Sequence, residues 1–168
     1  MLKKNWEIRR GDLYLADLNP FTGSEQGGKR PIVILSNNIG NRHSPTVIVA
    51  PLTSQPKTGF NPTHVNIDKA IYSSTANSTV LLEQINTIDK QRLMKYLGKL
   101  STEQMIKVNI AILISVALID SNITEYRDAA VRILRKRWKD NRKRKGELDH
   151  GKDEHDGNGK SKSEEGSK

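Results

Sequence analysis

Pro31-Ile32-Val33-Ile34-Leu35 is a continuous apolar run with proline at its first position, where a strand tolerates the missing N–H. Turn chemistry brackets it on both sides, so it reads as a strand. Upstream, Asp12-Leu-Tyr-Leu-Ala-Asp-Leu18 is a second strand, ended by Asn19-Pro20 and a polar, glycine-bearing loop from Thr22 to Lys29. Downstream, Asn37 to Pro45 is a turn-rich connection, Thr46-Val-Ile-Val-Ala50 a third strand, and Pro51 to Pro62 a long loop. His64-Val-Asn-Ile67 and Thr79-Val-Leu-Leu82 complete about five strands. Short strands at this spacing, with few helices between them, predict a small antiparallel barrel.

Helices are expected late in the domain. Thr87-Ile-Asp-Lys-Gln-Arg-Leu93 is assigned to the start of a short one. A longer one begins after Ser101, because Ser101 and Gln104 form an S-x-x-Q capping box. Met105, Val108, Ile112, Val116 and Ile119 recur every three or four residues, one face of a helix. Ile110, Leu113, Ile114 and Leu118 widen that face beyond what a lone surface helix needs. Packing against the barrel accounts for most of it, and a dimer contact for the surplus.

The chain has 168 residues, 28 Lys+Arg against 19 Asp+Glu, and a hydrophobic share of 35%, below that of an average globular domain. The deficit is uneven, since residues 1–120 hold nearly all the aliphatic runs and suffice for one core. Between Arg132 and Lys145 stand nine basic residues and one acid, Asp140, with Trp138 among them. Residues 146–168 reverse the balance, with seven acids and four bases among Gly and Ser. The division expected is a domain over 1–120, a basic helical extension over 121–145, and a disordered polar tail over 146–168. The basic stretch reads either as a solvated charged helix or as an arm that contacts phosphates without sequence preference.

Several classes drop out. The absence of cysteine removes disulfides, thiolate zinc sites and cysteine nucleophiles. No apolar run approaches the ~20 residues that cross a bilayer, and the start lacks a secretory signal. A cytoplasmic protein without membrane contact is expected, and its positive charge makes polyanions the first partners to consider. No nucleotide-binding loop is present. His43, His64, His150 and His155 are scattered, so no metal is expected; His64 reads as structural.

The segment with chemistry is Gly23-Ser-Glu-Gln-Gly-Gly-Lys-Arg-Pro31. Adjacent glycines allow close backbone approach and can turn N–H groups toward an anion. Lys29 and Arg30 supply positive charge; Ser24, Glu25 and Gln26 supply donors and acceptors. The same stretch also reads as a plain polar hairpin loop, and Thr53-Ser-Gln55 as a plain strand end.

Arg10-Gly-Asp-Leu-Tyr-Leu-Ala-Asp-Leu18, the Gly23–Pro31 loop, the Thr53 segment and Leu82-Glu-Gln-Ile-Asn-Thr-Ile-Asp-Lys-Gln-Arg-Leu93 occur in this order. Together they resemble the MazF/PemK toxins, the ribonuclease toxins of bacterial toxin–antitoxin pairs. The match runs from about Arg10 to Asp120 and says nothing about the tail. It implies a mainly β fold with helices (α+β), a small SH3-like barrel of the MazF/PemK/CcdB type. It also implies a metal-independent, cofactor-free and ribosome-independent endoribonuclease that cuts single-stranded RNA at a short motif. The products expected are a 2′,3′-cyclic phosphate and a 5′-OH. By the resemblance, the catalytic arginine is Arg30 and the catalytic threonine Thr53, while Ser24, Glu25 and Gln84 fall on positions near the substrate. Glu25, the loop's carboxylate, is the candidate base. Gln26, Lys29 and Asn61 are further candidates for substrate contact, with the loop from Lys57 to Asn61 bearing on the motif cut. A homodimer is expected, inhibited by an antitoxin with an acidic and apolar C-terminal segment. Two other readings remain for the same barrel, a gyrase-inhibitor-like toxin and a non-catalytic RNA-binding module.

Overall fold

Alternation along three neighbouring strands explains the apolar runs. In β2 (Lys29–Ile34), Ile32 and Ile34 face one core, while Val33 and the following Leu35 face another. β1 (Asp12–Asp17) and β3 (Thr46–Thr53) split the same way: Leu13, Ala50 and Leu52 join Val33, whereas Tyr14, Ala16, Val47 and Val49 join Ile32. Strands buried on both faces lose the polar half of the period-two pattern and read as unbroken apolar stretches. Each such side chain stabilises the fold by about 1.5–3 kcal/mol.

The computed structural model describes residues 7–55, 61–68 and 77–120, with Arg132 and Lys136. Its strands lie in the order β4-β5-β3-β2-β1-β7, all pairs antiparallel, with β4 (His64–Ile67), β5 (Ser78–Leu81) and β7 (Leu93–Lys99). β6 (Asn86–Asp89) pairs with the first half of β3, opposite Thr46 to Val49, and β5 takes over opposite Leu52 and Thr53. β3 therefore belongs to two sheet halves that diverge along its length. The result is a barrel-like α+β fold in which, among the described residues, the sheet does not close.

Among the described residues, seven strands replace the expected five. Thr87–Leu93 is not helical: it supplies most of β6, a 3-10 turn at Lys90–Arg92 and the first residue of β7. Lys90, Gln91 and Arg92 favour helix but keep only the 3-10 turn; before them Asn86–Asp89 are weak helix formers, and the open edge of β3 offers them hydrogen bonds and a buried seat for Ile88. The Asn37–Pro45 connection contains a short helix, α1 (Asn38–His43), capped by Asn37 Oδ1 accepting from Gly40 N at 2.8 Å. β3 runs past Pro51 to Thr53, so the following loop is shorter than expected. Proline is tolerated there because Ile32↔Pro51 is the last pair between β2 and β3. β2 likewise starts at Lys29, which makes Pro31 its third residue.

α2 (Thr102–Ser115) carries the expected capping box, with Gln104 N donating to Ser101 Oγ at 3.2 Å and Ser101 N to Gln104 Oε1 at 2.9 Å. Val108 and Ala111 are buried, and Met105 and Ile112 pack on the core that holds Leu13 and Val33. The helix ends before the predicted face does. Leu118 N donates to Leu113 O at 2.8 Å and Ala117 N to Ile114 O at 3.0 Å, while Ala117 adopts φ +57°. That is a Schellman stop built on alanine, and it leaves Val116 and Leu118 exposed. The chain divides into two compact units after Val131. Beyond that point only Arg132 and Lys136 are described, both helical and exposed; the rest of the expected extension and tail lies outside the described residues.

Candidate functional site

The β1–β2 loop is tied down at both ends. Leu18 N donates to Gly28 O (3.0 Å) and Gly28 N to Asn19 Oδ1 (3.2 Å). Within it Glu25 N donates to Thr22 O and Thr22 N returns a bond to Glu25 Oε2 (2.9 Å). Arg92 Nη1 reaches across from the β6–β7 turn to Asn19 O (2.7 Å). A polar loop of this kind, with each turn closed by its own side chains, holds its shape without burial.

Arg30 is fixed by that loop. Its Nε donates to Gly27 O at 2.6 Å and its Nη1 to Gln26 Oε1. Partial burial lowers its pKa from the ordinary arginine value, because charge is harder to hold away from water. Thr53 stands at the far end of β3, half-buried, with its Oγ1 accepting from Gln55 N (3.2 Å) and Thr79 of β5 as its cross-strand partner. Ile32↔Pro51 is the last pair between β2 and β3, so Arg30 and Thr53 each lie two residues beyond it on their own strands. Strand parity gives both the sheet face that carries Val49 and Pro51.

That face floors a cleft of about 480 Å³. Glu25, Gln26 and Phe21 line it from the β1–β2 loop, and Glu83, Gln84 and Thr87 from the other side. The structure thus brings three candidates, Glu25, Gln26 and Gln84, into one cleft, with Arg30 bound to it through Gln26. The Gln26 carbonyl oxygen is engaged with Arg30, so it orients the arginine. Ser24 and Lys29 are exposed on the same loop outside the cleft wall.

Asn61 stands apart, in a second groove of about 310 Å³ between β4 and α2 with His64, Lys107 and Ile110. A chain of hydrogen bonds links it back. Asn61 Nδ2 and His64 Nε2 are 3.2 Å apart, and His64 Nε2 lies 2.8 Å from Glu83 Oε1. Thr63 Oγ1 donates to Glu83 Oε2 at 2.7 Å. Burial works against the charge on Glu83, but the bonds from Thr63, its own backbone N–H and His64 outweigh it and hold the carboxyl below 4.5. Glu83 and Arg92 are site residues that sequence reasoning passed over, although both stand in the Leu82–Leu93 block. Among the described residues no group of three or more His, Asp or Glu is placed to hold a metal ion, and no helix is long and apolar enough to cross a membrane.

Comparisons with known proteins agree with this fold. A family model described as a PemK-like, MazF-like toxin of type II toxin–antitoxin systems matches residues 9–116. Endoribonuclease EndoA of Bacillus subtilis (strain 168) is 54% identical over 113 residues, 67% of this chain and 97% of its own length. Among solved structures, a mycobacterial endoribonuclease in complex with its cognate antitoxin is 30% identical. The match has a TM-score of 0.56 and covers 67% of this chain and 97% of that one. MazF from Deinococcus radiodurans, 22% identical with a TM-score of 0.59 over 68% of this chain and 100% of its own, shares the fold.

Proposed function

The chain belongs to the PemK-like, MazF-like toxins of type II toxin–antitoxin systems and is an endoribonuclease, and on that premise we propose that it cuts single-stranded RNA by metal-independent transesterification centred on Arg30. The 2′-OH attacks the adjacent phosphorus and the 5′ oxygen leaves, giving a 2′,3′-cyclic phosphate and a 5′-OH end. Such a step needs a base at the 2′-OH, charge stabilisation on the phosphorane and a proton for the leaving oxygen.

Arg30 suits the second and third roles. Its guanidinium forks onto phosphate oxygens, and its pKa is shifted toward easier proton release. Arginine is too basic to take the 2′-OH proton, and Glu25, the carboxylate of the same loop, is the candidate base. Thr53 adds a hydroxyl donor for the phosphorane oxygens. Ser24 and Lys29 are assigned to the flanking phosphates, and Gln84 and Asn61 to the substrate more widely. The single observation that carries this reading is the Arg30 guanidinium, clamped by Gln26 and Gly27, with Gln26 itself lining a polar cleft.

The chain is further assigned a homodimeric state with an RNA groove shared between protomers. Inhibition by a cognate antitoxin through an acidic and apolar segment follows from the same reading, as does action in the cytoplasm. Residues 127–145, with ten bases and two acids, add phosphate contacts without base preference. Incubation of the pure protein with single-stranded RNA in EDTA, followed by end analysis, tests the chemistry. Fragments with cyclic-phosphate and 5′-OH ends are expected. Intact RNA, whether bound or free, would overturn it in favour of a binding module or a gyrase-directed toxin.

A further inference from the structure

Phe21 departs from the polar character of its loop. Its ring is 51% exposed, yet it is not loose. A Cβ built on Gly27 would lie 1.8 Å from Phe21 Cδ1 and 2.1 Å from Cγ, so the ring rests directly on the Gly27 backbone. Only a residue without a side chain leaves room for it there. The neighbouring turns are closed by Asn19, Thr22 and Glu25, and Gly27 O accepts from Arg30 Nε. An exposed aromatic is therefore held in one place, on the peptide that anchors Arg30.

The cleft beside this ring carries more negative than positive charge. Glu25, Glu83 and Asp89 line it against one cation, Arg92, whose guanidinium is bonded to Asn19 O. Carboxylates repel phosphate but accept hydrogen bonds from exocyclic amino groups of bases. Gln84 lines it too, with no side-chain bond among the described residues, and an amide can both donate and accept on a base edge. Single-stranded RNA is recognised by this pairing of an aromatic face with polar edge readers. A preset ring also lowers the ordering cost of binding.

We propose that Phe21 is a stacking platform for one unpaired base of the RNA substrate, and that the cleft it borders is the pocket for that base, next to the phosphate at Arg30. The proposal rests on the reading that the chain cuts single-stranded RNA. It assigns a division of labour: Arg30, Thr53 and Lys29 take the backbone, while Phe21 and the carboxylate-lined cleft take a base.

The test uses the full chain and a short single-stranded RNA spanning its mapped cut site, made uncleavable by a 2′-deoxy sugar at the reacting nucleotide. Phe21→Leu keeps an apolar contact on Gly27 without a π-face; Phe21→Trp keeps both. Phe21→Leu is expected to weaken binding roughly five- to hundredfold, with Phe21→Trp within about twofold of the parent protein. The loss should vanish on RNA carrying an abasic nucleotide at one position beside the cut, and 2-aminopurine at that position should be quenched by the parent protein and not by Phe21→Leu. Unchanged affinity of Phe21→Leu overturns the proposal. So does a loss that persists on every abasic RNA, which would mark Phe21 as loop packing only. Because the RNA is uncleavable, this outcome is separate from the fate of the cleavage chemistry, which native RNA in EDTA decides.

Discussion

At the residue scale, the proposed mechanism turns on Arg30. Arg30→Ala is expected to lower the cleavage rate by ~10²–10³, the usual cost of one transition-state donor, with the thermal melt unchanged. A variant that keeps a tenth of the parent rate would remove Arg30 from the mechanism. Arg30→Lys should also fail, because a point charge does not reproduce the two-pronged contact and leaves the Gln26 and Gly27 acceptors poorly matched. Glu83 gives a different kind of prediction. Its folded pKa lies below 4.5, so its stabilising contribution is complete above that pH and is lost as pH falls through the folded value. The side chain is 37% exposed, which limits the contribution to about 1 kcal/mol or less. Glu83→Gln should lower the urea midpoint slightly at neutral pH, and the two midpoints should converge in acid. A constant gap across that range would show that His64 and Thr63 do not favour the charged form.

At the scale of elements, α2 carries opposite signals at its ends. Ser101 closes the first turn through a reciprocal pair of bonds, and Ser101→Ala should cost about 0.5–2 kcal/mol. Ala117 holds a left-handed conformation at φ +57°, which costs an L-residue roughly 1–2 kcal/mol. Ala117→Gly should recover part of that, about 0.5–1 kcal/mol, and raise the denaturation midpoint. No gain would mean that the greater freedom of glycine in the unfolded chain cancels the relief. The strands from Asn86 to Lys99 make the complementary point. The sequence reading put a short helix over Thr87–Leu93, and pairing with β3 and β1 draws most of that segment into strands.

At the scale of the whole molecule, the proposal separates the work of the matched region from that of the remainder. Residues 9–116 match the family model, 113 residues match 97% of the Bacillus relative, and the basic segment from Arg132 lies beyond the family match. Deleting everything after Asn122 should leave the cut motif unchanged, because the proposal assigns base readout to the barrel. It should weaken RNA binding at low salt and flatten the salt dependence by a log–log slope on the order of 0.7 for each phosphate that the basic segment no longer neutralises. A truncated protein with unchanged affinity and slope would make the segment a solvated extension. A shifted cut motif would place base readout in the tail.

Local chemistry made a large part of this protein legible in advance. Apolar runs located the five strands that are buried on one or both faces, because burial writes itself into composition. Ser101 and Gln104 announced the start of α2, and the double glycine before Arg30 and Pro31 marked the loop that holds the guanidinium. Tertiary structure decided what depends on a distant partner. Asn86–Asp89 became a strand because β3 had an open edge, and Leu93–Lys99 because β1 had another. α2 stopped at an alanine, where sequence offers no glycine to read. Glu83, Arg92 and Phe21 entered the site through contacts with His64, Asn19 and Gly27, residues between 6 and 73 positions away. A hydrogen bond across such separations leaves no periodicity in the chain; only the folded sheet brings its two ends together.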